Sequence, residues 1–166
     1  MIGADWVRMM ARYAAWQNAS YAALTADLSE ADWWADRGAF FKSLGVTANH
    51  ILWADKIWLS RLGGGQAPAA SGVGLDIAAT RADWAAQRAK ADADLSRWAA
   101  GLRDADLRGD LEWVSVLAGD MRAPLAEVVT HLFNHATHHR GQMHAMLTAM
   151  GRETPVTDIP FMPAAT

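Results

Sequence analysis

The sequence predicts an all-α fold built on four helices, and three observations carry that prediction. Apolar residues recur at helical spacing in four stretches, glycine- or proline-bearing breaks separate them, and the last stretch has an apolar stripe as wide as a core-facing helix needs. At 166 residues and 52% hydrophobic content, the chain is the size of one domain, 1–166, and long enough to bury a core.

The first helix runs from about Asp5 to Asp27, with Trp6, Met9, Met10, Tyr13, Trp16, Ser20 and Leu24 in near-helical period. Ser29 to Gly38, polar apart from two tryptophans, reads as a loop. The second helix begins at Phe41 or Ser43 and reaches Leu62, where Gly63-Gly-Gly65 stops it. Gln66 to Gly74 is a flexible connection containing Pro68. Asp76 then serves as the N-cap of a third helix that reaches Ala100, just before Gly101. Between Leu107 and Arg122 the helical pattern breaks, which predicts a short hairpin or an irregular excursion. Pro124 suits the first turn of the fourth helix, where its missing N–H costs little, and Gly151 suits the residue beyond its end. The tail from Arg152 carries Pro155, Pro160 and Pro163, too many prolines for a helix, and should pack as an extended strand or fray.

The fourth helix carries the chemistry. In Thr130-His-Leu-Phe-Asn-His-Ala-Thr-His-His-Arg-Gly-Gln142, four of the six histidines fall within nine residues. Neutral imidazole is the commonest metal ligand, and two imidazoles one helical turn apart can converge on one ion. His131/His135 and His135/His139 both have that i, i+4 spacing. A helical wheel separates them. With His131 at 0°, Leu125, Val128, Val129, Leu132, Ala136, Met143, Met146, Leu147 and Met150 fall between roughly 60° and 160°. His139 lies inside this stripe at about 80° and His135 on its edge at about 40°, whereas His131 and His138 lie outside it and His144, near 220°, belongs to the surface. Two imidazoles in a buried stripe need compensation for lost hydration, which a metal ion supplies.

A third ligand has to come from elsewhere. His50, with Val46, Trp53, Ala54 and Ile57 around it at helical spacing, points into the apolar interior of the second helix. A lone histidine there is more often a hydrogen-bonded core residue than a ligand, but three inward histidines on two helices make a His₃ site. Trp53 and Trp58 flank His50 on the wheel and are placed either to wall a pocket above the metal or to fill core. Trp6, Trp16, Trp84 and Trp98 sit where packing explains them. Gln142, one turn beyond His139, is placed to orient an imidazole or a substrate. Gly141 points away from the apolar stripe, so something is expected to pack closely on it, either the 107–122 excursion or a second subunit. Arg140 reads as a helix-surface charge.

Several function classes are excluded or disfavoured. With 15 Lys+Arg against 18 Asp+Glu the formal charge is −3, and no basic stripe exists to neutralise phosphates, so no nucleic-acid partner is expected. No apolar run approaches the roughly 20 residues of a membrane span, and the start Met-Ile-Gly-Ala-Asp-Trp lacks a signal-type segment, so a cytoplasmic protein without membrane contact is expected. The absence of cysteine removes disulfides and thiolate ligands and leaves His, Asp and Glu as metal donors.

The run His131-Leu-Phe-Asn-His-Ala-Thr-His-His-Arg-Gly-Gln-Met-His144, with Asp36-Arg-Gly-Ala-Phe-Phe-Lys-Ser-Leu44 leading to Asn49-His50 and Ala54-Asp55, and with Arg12-Tyr-Ala-Ala-Trp-Gln-Asn18, resembles the DinB family of the DinB/YfiT-like metalloenzyme superfamily. The resemblance spans nearly the whole chain. It implies a four-helix bundle, a metal triad at His50, His135 and His139, a divalent ion such as zinc or nickel, and a homodimer. Many DinB members have no established reaction, but better understood relatives use low-molecular-weight thiols, as in thiol S-transferases and a mycothiol-dependent isomerase. The resemblance therefore implies a small-molecule, thiol-using enzyme, with a metal-dependent hydrolase or a non-catalytic structural or metal-responsive module as alternatives. A hydrolase would need a nearby general base, and no His-Glu-x-x-His pattern supplies one.

Overall fold

The computed structural model describes residues 2–69, 73–115 and 118–164. Among the described residues the fold is mostly helical with one small antiparallel sheet. Among the described residues, four long helices dominate: α1 (Ala4–Leu24), α3 (Leu44–Arg61), α4 (Arg81–Gly101) and α5 (Leu125–Ala149). Helix α1 packs against α4 and α5, and α3 packs against the same two.

The segment expected to be a loop after α1 contains a short helix, α2 (Glu30–Trp34). Its polar appearance misled because a single turn carries little periodicity, but Ser29 caps it by accepting from the Asp32 N–H at 3.0 Å, and Trp33 is fully buried against Trp84. Helix α3 starts as expected at Ser43, whose hydroxyl accepts from Val46 N–H, and ends before the glycine triplet. The cap of α4 is Thr80, not Asp76; its hydroxyl accepts from Asp83 N–H at 3.0 Å. The residues before it are held out of helix by Asn49, whose side chain donates to the Leu75 and Ala78 carbonyls and accepts from Ala78 N–H.

The break before the last helix is a hairpin, β1 (Asp110–Ser115) paired with β2 (Gly119–Pro124), in register from Asp110↔Pro124 to Ser115↔Gly119. Pro124 closes β2 and stands one position ahead of the helix rather than in its first turn. Gly151 follows the α5 cap Met150 with φ +69°, and the N–H groups of Gly151 and Arg152 return to Thr148 and Leu147 carbonyls. The tail runs along α1, where Gln17 and Tyr13 donate to the Val156 and Thr157 carbonyls at 2.7 Å. Its Pro160 does enter a short 3₁₀ turn, Ile159–Phe161, because the fixed φ of proline suits the start of a turn.

The apolar interior falls into two clusters. One gathers Tyr21, Trp33, Leu44, Leu52, Trp84, Met143 and Leu147, and the other Val7, Ala11, Leu59, Leu95, Val129, Leu132 and Phe133. Between them along α1, α3 and α4 lies a buried polar layer of Asn18, Asp55, Arg88 and Asp92. Arg88 Nη1 donates to Asp55 at 2.7 Å, its Nη2 lies 2.8 Å from Asp92 at a poor hydrogen-bond angle, and Asn18 donates to Asp92 at 2.8 Å. Burial pushes both carboxyls above their ordinary range, and Arg88 pulls them back down. Within this layer each charge thus faces an opposite one.

Candidate metal centre

The layer just described takes Asp55 away from the histidines and leaves His50, one and a half turns earlier on α3, facing α5. There it meets His135 and His139. One nitrogen from each of the three rings lies within 4.8 Å of the other two, and the Nε2 atoms of His50 and His135 are 3.1 Å apart. His50 and His139 are each 7% exposed, whereas His135, on the edge of the apolar stripe, is half-buried.

Two of the rings are oriented from behind. His50 Nδ1 lies 2.9 Å from the Val73 carbonyl, an acceptor only, so Nδ1 carries the proton and Nε2 keeps its lone pair. Asn49, the neighbour of His50, pins the Leu75–Ala78 part of that same loop. His139 Nδ1 lies 2.8 Å from Gln142 Oε1, which orients that ring likewise toward Nε2. Gln142 Nε2 in turn reaches His138 at 3.3 Å. His135 Nδ1 is buried with no partner.

Electrostatics hold the rings neutral. Burial, followed by the neighbouring imidazoles, pushes His135 down to about 3. Burial also pushes His50 and His139 down, against the hydrogen bonds to Val73 and Gln142. Neutral imidazole is the form that binds a metal. A tetrahedral ion with metal–nitrogen bonds of about 2.0–2.1 Å separates its ligand nitrogens by about 3.3 Å, close to the observed Nε2–Nε2 spacing. The donor set therefore fits a divalent ion.

The aromatic surroundings differ from the wheel's forecast. Trp53 does lie beside His50, nearly parallel with centroids 6.1 Å apart, and it packs so closely on Gly74 that any Cβ there would overlap the indole. Trp58 instead faces His131 and the hairpin's Trp113, both at 5.3 Å, with Arg61 stacked over it at 4.7 Å, because the two tryptophans are five residues apart and diverge on the helix. His131 and His138 are exposed. His144 is half-buried rather than on the open surface, since α1 and the tail flank it. Arg140 is buried, 4% exposed, so it is no surface charge.

A model of the DinB family matches residues 4–166. The chain belongs to the DinB family. A DinB-like protein from Bacillus cereus ATCC 10987, known from a crystal structure, shares the fold with a TM-score of 0.63 at 20% identity, over 84% of this chain and 89% of that one. No curated protein matches the chain.

Two neighbours of this DinB site escaped the reading of the sequence. Phe41 lies over the triad, its ring centroid 4.2 Å from His50 and 5.3 Å from His139. The turn that delivers it is closed by an Ala39↔Lys42 bridge with Lys42 at φ +66°, and no period signals such a turn. Asn49 was visible only as the residue before His50.

Proposed function

We propose that His50, His135 and His139 hold a divalent ion, zinc or nickel, and that the protein is a metal-dependent enzyme using a low-molecular-weight thiol in an S-transferase-like reaction. The observation that carries the metal reading is the convergence of three neutral imidazoles from α3 and α5, two of them oriented from behind by Val73 and Gln142. When bound, an ion held by three neutral ligands keeps its full charge and supplies Lewis-acid activation of a substrate thiol or of water. The protein's residues do the rest: Val73 and Gln142 fix the lone pairs, and Phe41 and Trp53 exclude water from one side. With no cysteine in the chain, the reacting sulfur belongs to the substrate. The hydrolytic alternative is less well served, because Asp55, the carboxylate nearest in sequence to His50, is committed to Arg88. We read the four long helices as a four-helix bundle and the protein as a homodimer, an assembly that light scattering measures.

Metal analysis of untagged protein should find about one divalent ion per chain, lost in His50→Ala, His135→Ala and His139→Ala. Unchanged metal content in all three variants would sink the triad. Adding candidate thiols to cobalt-loaded protein should alter its visible spectrum; indifference to every thiol would remove the thiol reading and leave the metal site standing.

A further inference from the structure

A cleft of about 300 Å³ lies between α1, α5 and the tail, and none of the three site histidines lines it. Its lining includes Gln17, Arg140 and His144, and each has a buried polar atom without a hydrogen-bond partner among the described residues: Gln17 Oε1, Arg140 Nη1 and His144 Nδ1. Gln17 and Arg140 are only 1% and 4% exposed. Leaving such groups unpaired forfeits the hydrogen bonds they made to water, at a greater cost for a charge.

Arg140 is the one Lys, Arg, Asp or Glu in the lining of this cleft. The carboxylates of the polar layer are both engaged by Arg88, and no ion pair among the described residues includes Arg140. Its guanidinium sits 5.7 Å over the Tyr13 ring, and Nη2 donates to Thr137 Oγ1 at 3.0 Å. The neighbouring Gly141, expected to lie under a packed element, meets nothing within 4 Å where a Cβ would stand, so neither the hairpin nor any other described residue covers it.

We propose that this cleft binds a small carboxylate that also carries a hydrogen-bond donor, of the 2-hydroxy or 2-amino acid class. The ligand's carboxylate takes the free Arg140 donor, a charge-assisted bond, and its hydroxyl or ammonium group donates to Gln17 Oε1. An inorganic phosphate fits less well, because near neutral pH it sets between one and two negative charges against a single guanidinium. The volume is at the small end of ligand pockets, which suits a small molecule.

Calorimetric titration of metal-loaded protein with glycolate, acetate and inorganic phosphate at constant ionic strength tests this. Glycolate should bind saturably and more tightly than either competitor. Arg140→Gln should weaken it at least about tenfold, the loss of one charged hydrogen bond. Gly141→Leu, which fills the mouth from a helix-compatible position, should weaken it as well and decides the matter if Arg140→Gln does not fold. His135→Ala should still bind glycolate. Absence of saturable binding, phosphate or acetate binding as tightly, unchanged affinity in folded Gly141→Leu, or loss of binding in His135→Ala would each overturn the proposal.

Discussion

Replacing Arg88 by methionine should cost this protein about 3–5 kcal/mol at pH 7.5, the range for removing one partner of a buried ion pair. Arg88 is 2% exposed and spans two carboxylates, Asp55 at 2.7 Å on α3 and Asp92 at 2.8 Å on its own α4. Methionine fills most of the stem's volume, so the loss is chiefly electrostatic: two buried carboxyls remain, with Asn18 still donating to Asp92. Their pKa values, already raised by burial, must rise further without the guanidinium. A carboxyl raised in the folded state binds more protons there than in the unfolded chain, where it titrates near 3.9, so its penalty is absent below that value and grows as pH rises toward the folded value. Acidifying from pH 7.5 to 5 should therefore return part of the deficit, at most about 1.4 kcal/mol per pH unit for each carboxyl. Urea unfolding followed by tryptophan fluorescence, in wild type and variant at both pH values, measures the difference at unchanged slope. A deficit below about 1 kcal/mol, or one that does not shrink on acidification, would refute the charge-layer account and leave only packing.

Two further outcomes are expected. Metal-free protein should become less stable as pH falls below 6.5, because the unfolded chain protonates His135 while the folded chain, with that group at about 3, does not. By pH 5 the full shift is worth roughly 2 kcal/mol, and solvent screening of the half-buried ring reduces this to about 1 kcal/mol; denaturation midpoints of the metal-free protein that do not respond to pH, or the same response in His135→Asn, would contradict it. Gly151→Ala forces a side chain into φ +69° at the α5 cap and should cost about 1 kcal/mol, lowering the melting temperature by about 2–4 °C; an unchanged melting temperature would mean that the cap does not hold the helix end.

The helical class, the four long helices and the division of the histidine run were legible in the sequence, because a 3.6-residue period acts on every residue of a long helix and assigns each side chain an angle. His139 buried, His135 at the edge and His131 and His138 exposed all follow from that angle alone. It could not determine what depends on residues far apart in the chain. Phe41 reaches His50 through a turn, Val73 meets His50 across a loop, and Thr80 replaces Asp76 as a cap because Asn49 holds the intervening residues. Arg140 has the sequence neighbourhood of a surface charge and became a buried one only because α1 and the tail close over it. Local period records which way a side chain points, and only the packed structure decides what it meets there.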